Sequence, residues 1–524
     1  MYQNPRGLDI TSLYSNDGYL NFQAIPVEVQ ILNDTIDLEI RMMEGKQYRI
    51  GEIKVTGNTK TNDRVVFREI RTRPGELFSR ADILRTQREL ANLGYFNPES
   101  FQIIPTQNPE DGTVDIEYIV EEKPSDQIEL SGGWGGGRVV GTLGLSFTNF
   151  SMRNFFKKGA WRPVPSGDGQ RLSIRAQTNG QFFQSYNISF TEPWLGGKKP
   201  NSLTVGMWHS IQSNGQRRTI DGVDNPFRQD LRISGVSVGL GQRWKRPDDW
   251  FLFYAGISYQ HFDLNNFNSF FDFSNGNSNN LALEVSLQRN SVSDPIFPTW
   301  GSNIKFTTKM TLPYSRTFLR DQDFTAEDIT AQEKFKWVEY HKWKFTAKWY
   351  TTLTKSNNEE NQRRLVLHTH AGVGLLGFWN RDIGLSPFER FYLGGVFLSG
   401  FQLDGREIVN LRGYDDLSLT FPNPNTGSPV IAKYGMELRY PLSTNPSATI
   451  YALTFAEAGN TWSQINEFNP FQVNRSAGVG LRIFLPMFGL LGLDYGWRFD
   501  DIPQAPNMAN GQFHFSIGMN LGEL

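Results

Sequence analysis

The chain contains no cysteine, so neither a disulfide framework nor a thiolate metal site is available to it. Its formal net charge is only −2, which gives no indication of nucleic-acid binding. No apolar run reaches the roughly 18 residues that a membrane-spanning helix requires. These absences still allow a membrane protein, because a closed β-barrel crosses the bilayer on alternate apolar residues and gives a weak hydropathy signal.

Motifs for catalysis are also absent. The sequence has no P-loop, no HExxH and no nucleophile elbow. GVGLLG at 372–377 matches GxGxxG but lacks the strand, turn and helix that a nucleotide site needs. His368 and His370 share a strand face and could share a metal, yet the spacing suggests no third ligand, so an ordinary polar lining is favoured. We therefore expect no enzymatic activity, no cofactor and no bound metal.

What the sequence does contain is an alternation of apolar and polar residues that recurs from about residue 127 to the end. Near the C-terminus, Phe513, Phe515 and Ile517 alternate with polar residues, and runs at 186–190 and 281–287 show the same period. Each run has one apolar and one polar face, as a half-buried strand does. At about ten residues per strand plus connections, the stretch predicts roughly 16 antiparallel strands, an even number as in bacterial barrels.

A soluble β-sandwich or propeller is the alternative interpretation of this pattern. The apolar faces carry large aromatic residues, for example Trp343 and Phe345, where a sandwich core would be rich in valine. The opposite face of the same run carries Lys342, Lys344 and Lys348, as expected for a water-filled lumen. The sequence therefore favours an all-β transmembrane antiparallel β-barrel of about 16 strands.

The first 123 residues have a different pattern, which predicts an α+β domain. The expected order is strand (50–56), helix (62–69), helix (79–93), strand (101–105) and strand (114–121). Ser79 is placed to cap the longer helix and Gly94 to end it. Residues 1–46 contain a hairpin through Asn33 and Asp34 but lack room for a full unit, so they look like the end of a preceding copy. Because the start also lacks a signal segment, we expect a processed or partial chain.

Residues 51–96, which begin GEIKVTGNTKTNDRVVFREI and end LANLGYF, resemble a POTRA repeat. Downstream, FTEPWL, RNSVSDPIFPTWG, SPFERFYLGG, LRGYDD, EAGNTW and SAGVGLRIFLP follow in the order typical of the BamA-type outer-membrane insertases, which the chain therefore resembles. The resemblance implies three parts: 1–46 as the C-terminal part of a POTRA repeat, 47–123 as a complete POTRA repeat, and 124–524 as an outer-membrane β-barrel with an inward-folded loop around 378–427.

The resemblance also implies a function and a location. Such a protein folds and inserts nascent outer-membrane barrel proteins without nucleotide hydrolysis, with its barrel in the outer membrane of a Gram-negative bacterium and its POTRA domains in the periplasm. Its partners would be these client barrels, outer-membrane lipids, and the accessory assembly lipoproteins and periplasmic chaperones that bind POTRA repeats. The alternatives are a TamA-like or two-partner-secretion pore of the same fold and, from another class, a passive porin or receptor, which the POTRA repeat argues against.

By the same resemblance, the loop tip in NLRGYDDL acts as a latch inside the barrel. Arg412 can donate two parallel hydrogen bonds to a carboxylate, Gly413 permits a tight turn, and Tyr414 packs on the wall. The acceptors that the resemblance implies are Glu437 and Glu457. A loop arginine that is simply solvated is the alternative.

The alternation fits one of these acceptors more simply than the other. Glu437 lies between Met436 and Leu438, which would face lipid, so the carboxylate would face inward. Glu457, by contrast, shares its strand face with apolar Phe455. Either apolar residues line the interior under the loop, or a bulge shifts the register.

The resemblance further implies that the first strand, about 127–136, closes on the last, about 511–521, through a weak seam that can open. SGGWGGG in the first strand contributes Gly132, Gly133, Gly135 and Gly136, and the last strand contributes Phe513, Phe515, Ile517, Gly518 and Leu521. Glycines offer no side chains for cross-strand packing, so pairing here is weak and an edge could template an incoming strand. The alternative is that these glycines only allow the sheet to curve.

Overall fold

The structure is a computed structural model that describes residues 9–32, 35–97, 100–124, 126–135, 138–161, 164–267, 271–294, 296–354, 364–395, 407–445, 448–485, 489–502 and 509–517. The chain forms two compact units. The first comprises Met1–Ile128, Leu145–Ser173 and Phe190–Lys199, and the second comprises Glu129–Gly144, Ile174–Ser189 and Pro200–Leu524.

An α+β repeat, preceded by a helix and a hairpin, forms most of the first unit. The elements are α1 (Ile10–Asn16), β1 (Gln23–Leu32), β2 (Thr35–Met43), β3 (Arg49–Thr56), α2 (Asp63–Phe67), α3 (Arg80–Asn92), β4 (Gln102–Asn108) and β5 (Thr113–Ile119). The predicted order of strand, two helices and two strands is confirmed, with β5 parallel to β3 and antiparallel to β4. Ser79 accepts a hydrogen bond at the start of α3, and Gly94 after its end has a φ of 84°.

The core of this repeat lies between its helices and its sheet. Val66 of α2 and Leu90 of α3 are fully buried against Ile116 and Tyr118 of β5. Among the described helices, none has both the length and the apolar composition to cross a membrane.

A sheet of 16 strands forms most of the remaining structure. The further elements are, in chain order, β6 (Gln127–Gly135), β7 (Arg138–Phe150), β8 (Gln170–Thr178), β9 (Phe183–Glu192), β10 (Asn201–Ser213), β11 (Thr219–Ile220), β12 (Val223–Asp224), β13 (Asp230–Trp244), β14 (Phe251–Asn265), β15 (Gly276–Asn290), β16 (Gly301–Thr311), α4 (Ala331–Lys334), β17 (His341–Thr352), β18 (Val366–Gly377), β19 (Phe391–Leu393), β20 (Glu407–Val409), β21 (Val430–Asn445), β22 (Ala448–Trp462), β23 (Asn474–Leu485), β24 (Gly489–Arg498) and β25 (Gly511–Ile517).

The order of strands in this sheet follows the order in the chain. β11 and β12 form a separate pair, as do β19 and β20, so β18 is the direct neighbour of β21. In the part of the chain that the structure describes, β6 and β25 are the two edge strands. The predicted count of about 16 strands is therefore confirmed.

One face of the sheet is apolar and exposed. On β13, Val236, Val238 and Leu240 are 47%, 49% and 49% exposed, and Trp343 and Phe345 of β17 also point outward. The residues between them are polar or more buried. This is the alternation that the sequence predicted, and an exposed apolar face is what a lipid-facing sheet requires.

The connection between β7 and β8 lies within the first unit, where a buried carboxylate fixes it. Asp168 accepts hydrogen bonds from Asn62 Nδ2 (2.7 Å) and Ser151 Oγ (2.7 Å), and it pairs with Arg64. Burial by itself raises the pKa of Asp168, but the hydrogen bonds from Ser151 and Arg64 outweigh burial and leave the pKa below its usual value. The charged carboxylate therefore ties this connection to the start of α2.

We expect Asp168→Ala to loosen the 151–169 connection by about 1–3 kcal/mol, because three donors lose their acceptor. Proteolysis at pH 7 should then cleave within this connection faster than in the wild type or in Asp111→Ala, which changes an exposed turn. Folding lowers the pKa of Asp168, so the stability that its carboxylate contributes is fully present above the unfolded pKa of about 3.9. This contribution is lost as the pH falls through the folded pKa. Equal cleavage of the two variants at pH 7 would contradict this assignment.

Candidate functional site: a loop arginine among wall carboxylates

The long connection between β18 and β21 packs against the buried face of the 16-stranded sheet. Of its described residues, Phe391, Leu393, Leu411 and Tyr414 are fully buried, and they share an apolar core with Ile431 of β21. Inside the connection, β19 and β20 pair in parallel. The tip, residues 410–417, is thus presented to the wall by a packed loop.

The guanidinium of Arg412 lies among three carboxylates from three strands. Its Nη2 is 2.6 Å from Glu437 Oε1 on β21 and 2.7 Å from Glu457 Oε1 on β22, while its Nη1 is 3.3 Å from Asp494 Oδ1 on β24. The backbone N–H of Arg412 donates to the second oxygen of Glu457 at 3.0 Å. Arg412 is only 6% exposed, so these are buried charge-assisted hydrogen bonds.

Glu457 reaches this position without a bulge beside it. Tyr451, Leu453 and Phe455 are buried on the same face of β22 as Glu457, and the only register shift between β21 and β22 falls at Pro441 and Ser443, away from the cluster. The sequence left two explanations open for Glu457, a bulge or an apolar lining of the interior. The structure shows the apolar lining. These apolar residues are buried there in one cluster with Phe297, Val366 and Leu490.

An aromatic ring underlies the arginine. The guanidinium carbon of Arg412 is 3.6 Å from the ring centroid of Phe455, close enough for a cation–π contact. On β21, Met436 and Leu438 are exposed while Glu437 between them is 5% exposed. The inward direction expected for Glu437 therefore follows from simple alternation.

The next two residues of the tip, Gly413 and Tyr414, also contact the wall. Gly413 has a φ of 87°, a conformation that favours glycine, and a Cβ there would lie 3.2 Å from Ser476 Cβ. Tyr414 is fully buried, and its hydroxyl donates to the carbonyl of Arg475 at 2.7 Å. A side chain at 413 would therefore be opposed both by the backbone angle and by the wall.

Further charged residues complete the cluster, and sequence reasoning did not find most of them. Arg439 donates two hydrogen bonds to Glu437 Oε2, at 2.6 and 2.8 Å. Arg482 Nη1 is 2.9 Å from Asp494 Oδ1. Lys433 Nζ is 3.7 Å from Glu457 Oε1. A usable signal existed for Asp494, since it is the single acid in an otherwise apolar and aromatic run, GLLGLDYGW.

A second set of ion pairs fixes the stem of the loop. Lys342 Nζ of β17 lies 3.2 Å from Glu389 and 2.7 Å from Glu407, which are both on the loop. Lys309 pairs with Glu389 at 2.6 Å and Lys344 with Glu407 at 2.9 Å. The lysines of β17 were expected to face a watery lumen, but Lys342 retains only 4% side-chain exposure because the loop occupies that space.

The residues expected at the seam lie on the two edge strands or beyond the described residues. Gly132, Gly133 and Gly135 belong to β6, and Phe513 and Phe515 of β25 are 64% and 40% exposed. Ile517 ends β25, while Gly136, Gly518 and Leu521 fall outside the described residues. Pairing between β6 and β25 is not among the pairings of the described strands.

The two weaker sequence motifs lie within the wall. GVGLLG forms part of β18, so it has no turn and helix for a nucleotide. The rings of His368 and His370 stack with centroids 5.3 Å apart. His368 Nδ1 contacts Arg439 and Glu437, and within the described residues no group of three or more His, Cys, Asp or Glu side chains has metal-binding geometry.

Comparisons with known proteins agree with this architecture. A family model described as the Omp85 superfamily domain matches residues 166–520, and a POTRA model described as a surface antigen variable number repeat matches residues 48–123. The "Outer membrane protein assembly factor BamA" of Neisseria meningitidis is 21% identical over 480 residues, which is 86% of this chain and 50% of that protein.

Two solved structures share the fold. BamA from Haemophilus ducreyi lacking POTRA domains 1-3 gives a TM-score of 0.57 at 19% identity. The match covers 97% of this chain and 90% of the BamA chain. CdiB from Escherichia coli gives a TM-score of 0.54 at 14% identity, and the match covers 98% of this chain and 84% of the CdiB chain.

The chain belongs to the Omp85 superfamily of outer-membrane proteins, since that family model matches well over half of it. Its POTRA repeat followed by the 16-stranded sheet is the BamA-type arrangement, as the sequence predicted, which puts the strands in the outer membrane and the POTRA domain in the periplasm. The chain spans about half the length of the curated relatives it matches.

Proposed function

We propose that this chain is the core insertase of an outer-membrane barrel-assembly machine. It folds nascent barrel proteins and inserts them into the outer membrane through a seam between β6 and β25, without nucleotide hydrolysis. The observation that carries this proposal is a POTRA repeat joined to an Omp85 sheet whose buried face is occupied by a fixed loop. A filled interior leaves the edge strands as the place where a client strand can act.

The first strand suits that role because it is poor in side chains. Gly132, Gly133 and Gly135 add nothing to cross-strand packing, so the pairing of β6 with another strand is weaker than usual. An incoming strand can add to such an edge through backbone hydrogen bonds alone. The client's own folding in the bilayer supplies the driving free energy, so the chain needs no nucleotide.

The partners follow from the two parts of the chain. Client barrel proteins meet the edge strands, and outer-membrane lipids meet the exposed apolar face of the sheet. Accessory assembly lipoproteins and periplasmic chaperones bind the POTRA repeats, where β3 and β4 are the edge strands of a three-stranded sheet. The name of the Neisseria relative, an outer membrane protein assembly factor, supports outer-membrane proteins as the clients.

A translocation pore of the same fold, TamA-like or of the two-partner-secretion type, is the second candidate, and the likeness to CdiB favours it at the level of fold. In that case substrate would pass through the interior. The loop would first have to leave, which breaks the buried contacts of Arg412 and Lys342. This requirement favours the insertase.

A disulfide lock separates the two functions. The chain has no cysteine, so cysteine pairs scanned along Gln127–Gly135 and Gly511–Ile517 can be oxidised without background. We expect a locked seam to stop assembly of client barrels in cells depleted of the native protein, and a reductant to restore it. The matched control joins Ser237 to Ser258, which are register partners on β13 and β14, and it should leave assembly unchanged. Normal client assembly with a fully oxidised seam would rule out insertion through the seam.

A further inference from the structure

The loop tip also contacts the last two strands of the sheet. The backbone N–H of Gly413 donates to Nε2 of His514 on β25 at 2.8 Å. Arg412 Nη1 reaches Asp494 on β24, and Asp494 and His514 are register partners on these neighbouring strands. One cross-strand pair therefore contacts two successive residues of the tip.

The neighbouring cross-strand pair continues this contact. Gly496 of β24 and Gln512 of β25 are register partners, and Gln512 donates a hydrogen bond to the carboxylate of Asp415. A Cβ at Gly496 would lie 2.7 Å from the backbone nitrogen of Gly413, so only glycine lets the tip approach this closely. Residues 412–415 thus lie across the inward face of both strands.

The hydrogen bond to His514 requires a particular form of the imidazole. Nε2 can accept the N–H of Gly413 only if it carries no proton, so the proton of the neutral ring must lie on Nδ1. His514 is 8% exposed, and without it the N–H of Gly413 would be buried with no acceptor. The contact is therefore specific to an acceptor at position 514.

β25 has a paired neighbour on only one side in the described sheet. It is an edge strand of the described sheet, and its described residues pair only with β24, from Gly511 to Ile517. An edge strand with a single partner opens more readily than a central one. Contacts from the loop give it a second set of partners on its inward side.

We infer that residues 412–415 brace the last strand, with His514 as the positioning residue, so that withdrawal of the loop tip and release of β25 are coupled. The biological use of this coupling rests on the proposed function. It would link withdrawal of the loop tip to opening of the seam. Coupling of two sites is reciprocal, so loosening either one must loosen the other by the same factor.

Hydrogen exchange of the full chain in detergent micelles tests this coupling in both directions. Arg412→Ala, which removes side-chain hydrogen bonds to β21, β22 and β24, should raise the exchange of amides 511–517 about tenfold. His514→Ala should raise the exchange of the loop peptide 407–417 by a similar factor. In both variants, the β13 and β14 peptides should exchange as in the wild type.

Two further variants keep the test specific. His514→Gln retains an acceptor and should restore wild-type exchange in 407–417, which a merely structural role for the ring would not predict. His209→Ala, a strand histidine paired with Ser234, is the matched control and should change neither peptide. Faster exchange of the loop with unchanged exchange of 511–517 would overturn the brace. The measurement uses no client protein, so this result would leave the insertase proposal to the disulfide experiment.

Discussion

Replacing Arg412 with Ala is expected to destabilise the protein by about 3–5 kcal/mol, because buried carboxylates would keep their charge and lose a shared counter-charge. The loss of the guanidinium should affect the three carboxylates unequally. Among the cations of the described residues, Arg439 still pairs with Glu437 and Arg482 with Asp494, whereas Glu457 keeps Lys433 at the longer distance of 3.7 Å. Urea unfolding in detergent, followed by tryptophan emission, measures the change in midpoint.

Three companion variants make this result interpretable. Arg412→Lys should recover only part of the stability, because an ammonium cannot form the guanidinium's planar fork with several carboxylates. Glu457→Gln combined with Arg412→Ala should be less destabilised than the sum of the single changes, since the stranded charge is removed. Arg217→Ala, an exposed arginine, should stay within about 0.5 kcal/mol of the wild type. An unchanged midpoint for Arg412→Ala would mean that the cluster does not hold the loop.

Replacing Lys342 with Met is expected to cost about 3 kcal/mol and to free the stem of the loop. Its ammonium lies between Glu389 and Glu407, and it also stands 4.5 Å from the centroid of the Phe391 ring. Methionine keeps the aliphatic packing but removes the charge. Proteolysis within 386–409 should become faster, and the urea midpoint should fall.

Lys344→Met provides the matched control, since it removes a lysine from the same strand and the same face. The Lys344 side chain is 29% exposed and, among the described residues, pairs with one carboxylate, that of Glu407, so its loss should cost under about 1 kcal/mol. If both variants behaved alike, burial of Lys342 would not be the source of the effect.

Much of the fold follows from local pattern. Alternation predicted the strands, and a cap at Ser79 with a stop at Gly94 predicted the long helix of the POTRA repeat. The inward direction of Glu437 could also be predicted, because period-two geometry fixes it between Met436 and Leu438. These features depend on residues within a few positions of one another.

The rest of the site depends on where the loop lies, which no local pattern encodes. Glu457 seems inconsistent with its apolar neighbours if the lumen is open, but those neighbours lie in a buried cluster that includes Phe297 and Val366. Arg412 meets Asp494 across 82 positions and Gly413 meets His514 across 101. Such contacts require the register of every strand between them, so the contacts of Asp494, His514 and Lys342 could not be deduced, although Asp494 itself stands out as the single acid in its run.

The burial of the Arg412 cluster decides how strongly salt can act on the loop. Dissolved ions screen exposed charges within about 8–10 Å at moderate salt, but they act far less on buried pairs. An exposed pair such as Arg475 with Asp500, where the arginine side chain is 63% exposed, weakens as salt rises. The buried ion pairs of Arg412, whose guanidinium lies on the ring of Phe455, should weaken far less. Changes in salt outside the cell should therefore leave this loop bound to the wall, because its release requires the buried contacts of Arg412 to break.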